Sequence, residues 1–259
     1  MSGIYHDYAP FYDGSGQMRF AILVAHYLGD VLARHPAPGR RALDLACGTG
    51  TLALMLADEG WDVLGVDGSQ AMLALARAKA AALETAGRAS FALGDMRSFA
   101  LGPQAAPGLR PSSYHLATCT YDSLNYLLRE EELAACFANV AHALAPGGLF
   151  FADMNTRHFL EHDWDPVIVD ESEGFVQISQ SDFDPASACS TMVVTGFAGD
   201  DVRGYQRFEE THVERAYPPE TVARLLEQAG LAVEAAYDCF THQPPYEASQ
   251  RIAWIARKP

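Results

Sequence analysis

The sequence predicts a doubly wound α/β domain. Its sheet has seven strands, mostly parallel with the last antiparallel, and it carries an inserted antiparallel β meander. Three observations predict this. Apolar strand-like runs alternate with helix-like segments between residues 41 and 155, the pattern of a parallel sheet covered by helices on both faces. From 174 to 217 the alternation gives way to three consecutive β-like runs, at 174–183, 188–199 and 205–217. Two final β-like runs, 232–240 and 251–257, are joined by a long loop, which implies a hairpin. A chain of 259 residues, 49% hydrophobic, suits one large domain or one domain with an insertion.

The elements follow in order. Residues 17–34 place Phe20, Leu23, Val24, Tyr27, Leu28, Val31 and Leu32 on one helical face, and His35-Pro-Ala-Pro-Gly39 stops that helix. RALDLAC (41–47) reads as the first strand and 51–57 as a helix. WDVLGVD (61–67) is the second strand, and Ser69 is placed to cap the helix that runs to about Ala86. SFALGD (90–95) and YHLATCTY (114–121) are the third and fourth strands, joined by a Pro/Gly-rich segment, 101–113, with little regular structure expected. Residues 130–144 form a helix with an acidic first turn, as its dipole favours. Pro146-Gly147-Gly148 ends it, and LFFADMN (149–155) is the fifth strand. In the insertion, Asp184-Pro185 and Gly199-Asp200-Asp201 mark the turns. Pro218-Pro219 opens a helix that Gly230 stops. The division expected is a main domain of 1–155 and 218–259, with 1–35 as an N-terminal lid and helix, and a substrate-covering subdomain of 156–217.

Charge narrows the partners. Lys and Arg number 18 against 33 Asp and Glu, a formal charge of −15, and no local basic run is present. A nucleic acid needs a basic footprint that displaces counterions, and an anionic membrane needs the same, so neither is expected as a partner. No apolar run has the length of a membrane span, and the first residues lack the basic start and apolar core of a signal peptide. The five cysteines are widely spread without a Cys-x-x-Cys pair, which reads as buried free thiols in a reducing compartment. A soluble cytoplasmic protein is expected. His6, His158, His212 and His242 show no metal-ligand spacing, so no metal is expected.

The chemistry concentrates in LDLACGTGTLAL (43–54), a strand, a tight turn and a helix start. Gly48-Thr-Gly50-Thr-Leu-Ala53 matches the relaxed dinucleotide pattern G-x-G-x-x-A, and Asp67 at the end of the second strand is placed to accept hydrogen bonds from ribose hydroxyls. NAD and S-adenosylmethionine both have such a ribose. Asp44, inside the first strand, separates them: a carboxylate near the strand end suits a cationic ammonium, which S-adenosylmethionine has and NAD lacks. Gly94-Asp95-Met96 then closes the third strand, where a side chain and a backbone amide can hold an adenine edge.

Taken together, D-x-A-x-G-x-G, V-D-x-S-x-x-M-L, G-D-M and L-x-P-G-G, spread over 43–151, resemble the class I S-adenosylmethionine-dependent methyltransferases. Ala46 stands where that family usually has its first glycine; a small residue still permits close backbone approach. The chain is similar over nearly its whole length to small bacterial members carrying DSLNYL (122–127), an aspartate-x-asparagine (Asp153, Asn155), and the ETHxxRxYPPE run from Glu210 to Glu220. The resemblance implies a Rossmann-like methyltransferase fold with S-adenosylmethionine as cofactor. It also implies a cofactor site of Tyr12, Arg19, Asp44, Ala46, Gly48, Gly50, Asp67, Gly68, Met72, Asp95, Met96 and Thr120. In this reading the glycine turn holds no phosphate; it lets the chain pass close to the methionyl and ribose parts of the cofactor.

Several residues carry two readings. Met72 packs on the adenine or belongs to the core. Tyr5, Tyr8, Phe11 and Tyr12 form either a packed strap or a lid, with Tyr12 or Arg19 reaching the methionyl carboxylate. Gln243-Pro-Pro-Tyr246 resembles the Pro-Pro-Tyr motif of amino-methylating nucleic-acid enzymes but lies between the last two strands, so it reads as a rigid loop. Glu209 and Glu210 either attract a cationic amine or form the exposed face of a strand.

Methyl transfer from a sulfonium depends on alignment and exclusion of water, so no base is obligatory. Tyr121, Asn155, His158 and His212 are the candidates should one be used. The expected function is methyl transfer to N or O of a small-molecule acceptor. A non-catalytic S-adenosylmethionine-binding module and an NAD-dependent oxidoreductase are the alternatives.

Overall fold

In the computed structural model, which describes residues 4–100, 106–172, 174–200 and 202–259, β1 (Arg41–Leu45) is buried inside a seven-stranded sheet. It pairs in parallel with β2 (Asp62–Asp67) on one side and β4 (Tyr114–Cys119) on the other. β3 (Arg88–Leu93) extends the sheet beyond β2, and β5 (Leu144–Asn155) extends it beyond β4, again in parallel. β5 begins earlier than the apolar run suggests. A register shift between Tyr114 and Leu116 absorbs Pro146-Gly147-Gly148 as an irregularity within the pairing. Residues 101–105 of the Pro/Gly-rich segment, Asp201 of the expected turn and residues 1–3 of the N-terminus lie outside the described residues.

After β5 the chain leaves this sheet and builds a second, antiparallel one: β6 (Val167–Ser172), β7 (Phe175–Asp184), β8 (Cys189–Asp200) and β9 (Gly204–Arg215), in that spatial order. The sequence suggested three strands. The fourth, β6, was hidden because its side chains are largely exposed and its VIVDES run mixes apolar and acidic residues without clean alternation. The chain then returns through β10 (Ala232–Asp238) and β11 (Arg251–Arg257). β11 inserts between β10 and β5 and runs antiparallel to both, giving the order β10-β11-β5-β4-β1-β2-β3. The last strand is therefore the antiparallel one, as the hairpin predicted.

Among the described residues the α-helices are α1 (Ala9–Tyr12) in the N-terminal segment, and α2 (Met18–Arg34), α3 (Thr51–Asp58), α4 (Gln70–Ala82), α5 (Glu130–Ala143) and α6 (Pro219–Gln228), which flank the sheet. Strand residues alternate between two cores, because successive side chains point to opposite faces. On β11, Ile252 and Trp254 join Phe137, Phe150 and Leu226 on one side; Ala253 and Ile255 join Val24, Leu28, Leu52 and Phe151 on the other. On α2, Val24, Tyr27, Leu28 and Val31 are buried as the stripe predicts. Leu23 is a correction: it lies at the margin of the stripe and is 56% exposed. Ser69 caps α4 by accepting the Met72 N–H at 3.3 Å, and Glu130, Glu131 and Glu132 occupy the first turn of α5. All five cysteines are free, but only Cys119 and Cys136 are fully buried. No helix among the described residues is long and apolar enough to cross a membrane.

Candidate active site

The carboxyl ends of β1, β2 and β4 meet at one edge of the sheet, the usual ligand position in an open α/β fold. A cavity of about 310 Å³ opens there. Of the residues singled out from the sequence, Tyr12, Asp44, Ala46, Gly48, Asp67, Gly68, Met72, Met96, Thr120 and Tyr121 line it.

The turn after β1 is wound tightly: Ala46, Gly48 and Gly50 have φ of 51°, 54° and 77°. Ala46 thus occupies the left-handed region that glycine adopts more readily, which explains why a small residue is needed there. Gly48 donates its N–H to Asp67 Oδ2 at 2.8 Å, and Ser69 N–H reaches Oδ1 at 2.7 Å. Burial raises the Asp67 carboxyl and these two amides lower it, leaving the net direction upward. Both oxygens keep lone pairs that ribose hydroxyls can use. Met72 is 2% exposed and lines the cavity, so it is both core and wall.

Asp44 is the most informative group. It is 2% exposed; Thr118 donates to its Oδ1 at 2.6 Å, while Oδ2 has no partner. Burial pushes its pKa up to about 7, with Thr118 opposing and Asp67 adding to the rise. A buried carboxylate oxygen without a donor is costly unless a ligand supplies one. An ammonium would do so. The lining contains Asp44 and Asp67 and, among the described residues, no Lys, Arg or His. It therefore fits the cationic S-adenosylmethionine and repels a pyrophosphate.

The N-terminal segment covers this cavity. Tyr5, Tyr12 and Gln17 line it. Tyr5 is tied by its carbonyl to Ser69 Oγ at 2.8 Å. Asp13 accepts from Thr49 Oγ1 at 2.7 Å and from Lys79 Nζ at 2.9 Å, both on the cofactor side. On the other side, Phe11 stacks on Phe175 (4.9 Å between centroids) and Phe208 (5.8 Å) of the second sheet. Glu210 of β9 accepts four backbone N–H groups, from Tyr5, His6, Asp7 and Tyr8, at 2.7 to 3.1 Å. Burial raises its pKa, but His212 and these amides outweigh that and bring it to about 2. Glu210 is 6% exposed, so neither earlier reading of it holds: it clamps the strap. Glu209 is exposed and pairs with Arg207.

The turn after β4 is held from behind. Tyr121 and Asp122 adopt φ of 57° and 51°, unusual for two successive non-glycine residues. Their N–H groups donate to the two oxygens of Asp153, at 2.8 and 3.1 Å. Arg251 bridges Asp153 and Asp122 and stacks over Phe20, whose ring lies 4.1 Å from Tyr121. Asn125 donates to the carbonyls of Asn155 and Arg215, and its Oδ1 accepts Asn155 N–H at 3.0 Å. The DSLNYL and aspartate-x-asparagine tokens are thus one interlocked support for the turn.

The remaining sequence candidates lie off the cavity lining. Arg19 is exposed on α2. Gly50 faces the Phe91 ring, where a Cβ would come within 2.8 Å. Asp95 pairs with Arg97, which lowers its pKa. Asn155 is 4% exposed and donates to Glu214 Oε2 at 2.8 Å. His158 lies 3.2 Å from Asp163 and stacks on His162. His212 is 2% exposed behind the wall, 3.1 Å from Tyr126 hydroxyl and 3.5 Å from Glu210. Tyr246 of the Pro-Pro-Tyr loop is exposed and lines a neighbouring cleft with Phe20, Phe240 and Arg251. Sequence reasoning placed Tyr121 to Tyr126 in the pocket wall, and Tyr126 lines the cavity; it missed Gln17 and Arg251. Neither of these two had a signal in the sequence.

Comparison with known proteins agrees with this geometry. Residues 42–148 match the model of a methyltransferase domain family. A Geobacillus sp. (strain WCH70) relative carrying a methyltransferase name is 32% identical, over 85% of each chain. The dTDP-3-amino-3,6-dideoxy-α-D-glucopyranose N,N-dimethyltransferase of Streptomyces fradiae is 27% identical, over 80% of this chain and 76% of its own. The crystal structure of an S-adenosylmethionine-dependent methyltransferase from Clostridium acetobutylicum ATCC 824 superposes with a TM-score of 0.81. It is 24% identical, covers 98% of this chain and 99% of its own, and shares the fold.

Proposed function

Because the chain belongs to the S-adenosylmethionine-dependent methyltransferases, we propose that it methylates an amine nitrogen of a small-molecule acceptor. The cofactor, when bound, supplies a methyl group on a cationic sulfur. In this reading Asp44 holds the ammonium of the methionyl part, Asp67 the ribose hydroxyls, and Met72 with Gly94 and Met96 the adenine. The strap excludes water from the reacting atoms.

One observation carries the choice of nitrogen. The acceptor end of the cavity is walled by Tyr5, Tyr12, Tyr121 and Tyr126, and burial raises the pKa of all four phenols. They stay protonated at neutral pH and supply no phenolate base. His158 and His212 do not line the cavity. A hydroxyl acceptor benefits from a base; an amine in its neutral form carries its own lone pair. Alignment then does the rest. The amino-sugar N,N-dimethyltransferase relative supports the same reading.

The test is a screen of small primary amines against their matched alcohols with methyl-labelled S-adenosylmethionine, read by mass spectrometry. Label in amines alone is the expected outcome. Label confined to the alcohols would overturn the assignment to nitrogen.

A further inference from the structure

Rings bound the acceptor end of the cavity. Tyr5 stands edge-on to Tyr12, with centroids 5.8 Å apart and an angle of 83°, and is tilted to Tyr126 at 6.2 Å and 50°. The hydroxyls of Tyr5 and Tyr126 share a hydrogen bond of 2.9 Å. Tyr121, fixed by its stack on Phe20, completes the wall. Steeply inclined rings that meet at a corner suit a cation, which is attracted to the negative face of each.

Behind the rings lies a buried group whose charges do not balance. Asp122, Asp153 and Glu214 are 8%, 0% and 2% exposed. Asp122 and Asp153 share one ion-pair partner, Arg251, while burial and the neighbouring Asp122 hold the Glu214 carboxyl well above the usual carboxylate range. Asn155 donates its amide to Glu214, but its Oδ1 has no partner although the residue is 4% exposed. That residue also lines the cleft next to the cavity, with Phe20 and Arg251. Acceptors therefore outnumber donors in a low-dielectric region, where an unbalanced charge acts strongly. The imbalance reaches the cavity: Asp122 adds to the upward shift of the Tyr5, Tyr12 and Tyr126 phenols, after burial and neighbouring tyrosines or Glu214. The lining adds Asp44 and Asp67 and, among the described residues, no basic side chain.

From this geometry we infer that the acceptor is a cationic amine whose nitrogen docks among Tyr5, Tyr12 and Tyr126, and that any phosphate the acceptor carries stays outside this cavity. The inference narrows the nitrogen reading above and rests on it. One proton of the ammonium is released to bulk water at the mouth of the cavity, ahead of the water-free transfer step. Its lone pair forms the N–CH3 bond as the S–CH3 bond breaks and that electron pair stays on sulfur. Positive charge thus passes from sulfur to nitrogen, and the rings that bind the ammonium also stabilise the charge that develops on nitrogen, with the buried carboxylates acting from behind them. The product leaves as an N-methylammonium.

The experiment is binding to the full chain saturated with S-adenosylhomocysteine at neutral pH, by titration NMR, with three probes: benzylammonium, benzyl alcohol and inorganic pyrophosphate. The two benzyl probes differ mainly in the charged group. Benzylammonium is expected to bind roughly tenfold more tightly than the alcohol, and pyrophosphate not to displace it. Tyr126→Leu is expected to reduce that preference several-fold. Equal binding of the two benzyl probes, no binding of benzylammonium, or displacement of benzylammonium by pyrophosphate overturns the inference without needing the variant. Failure of the two readings is distinguishable. Methyl transfer to alcohols with the ammonium preference intact counts against nitrogen as the acceptor atom. Methyl transfer to amines without that preference counts against the cation site.

Discussion

Glu210 accepts the backbone N–H of Tyr5 at 2.7 Å, and that bond ties the second sheet to the wall of the cavity beyond β1. Three further amides, from His6, Asp7 and Tyr8, share the same carboxylate. The strap is thus clamped from the sheet that follows β5, while Ser69, Thr49 and Lys79 hold it from the cofactor side.

Glu210→Gln replaces an ionised acceptor of four amides by a neutral one. Charge-assisted bonds of this kind contribute about 1.5–3 kcal/mol. The variant should bind S-adenosylhomocysteine roughly tenfold more weakly and lose its strap faster to a protease. Calorimetry with unchanged affinity would refute the clamp. The carboxyl is depressed on folding, to about 2, so its contribution is complete above the ordinary carboxylate range and fades as pH falls through about 2. Between neutral and mildly acid pH, strap closure should not change through this group.

Asp44 has the opposite sign. Its pKa is raised to about 7, chiefly by burial, so in the free protein its contribution to stability is present below the ordinary carboxylate range and is lost as pH rises through about 7. A cationic ligand favours the ionised form. Affinity for S-adenosylhomocysteine, which keeps the ammonium, should therefore rise between about pH 6 and about pH 8. Asp44→Asn should bind weakly and show no such rise. A flat profile in the unaltered protein, measured by calorimetry at matched ionic strength, would remove Asp44 from the ammonium site.

The parallel sheet was legible because each strand is a short apolar run bounded by turn residues, and the cofactor-side wall because a backbone turn must be written in small residues near their own strand. Ala46, Gly48, Asp67 and Met72 all lie on the cavity as that logic places them. What escaped was the pairing of distant residues. Nothing in 43–54 indicates that Glu210 would cap the strap or that Arg251 would bridge Asp122 and Asp153. His212 matched a base by type and region, yet the fold puts it one hydrogen bond behind Tyr126. Asp95 was read from its place at a strand end, where Arg97 two residues on captures it.

Among the described residues Arg251 is the guanidinium paired with Asp122 and Asp153, and it supports the left-handed turn at Tyr121 and Asp122. Removing one partner of a buried ion pair leaves the other charge uncompensated, which costs about 3–5 kcal/mol. Arg251→Met should lose stability on that scale in urea unfolding, and Arg251→Lys less. If Arg251→Met unfolds at the midpoint of the unaltered protein, the support assigned to this bridge is absent.

Gly48 and Gly50 lie two residues apart in one turn, and their alanine variants should fail differently. Both have positive φ, 54° and 77°, so each substitution strains the backbone by about 1 kcal/mol or more. At Gly50 a Cβ would also meet the Phe91 ring at 2.8 Å and the Ala76 Cβ at 3.0 Å. That contact is in the packing beneath α3, so Gly50→Ala should chiefly lower the melting temperature. At Gly48 a Cβ meets nothing within 4 Å, and the residue lines the cavity. Gly48→Ala should keep most of its stability but put a methyl group where the cofactor must approach the backbone, so its main loss is affinity for S-adenosylhomocysteine. Thermal unfolding and calorimetry on the two variants separate the effects. The same ranking in both measurements would mean that the turn acts as one structural unit, with no division between packing at Gly50 and ligand contact at Gly48.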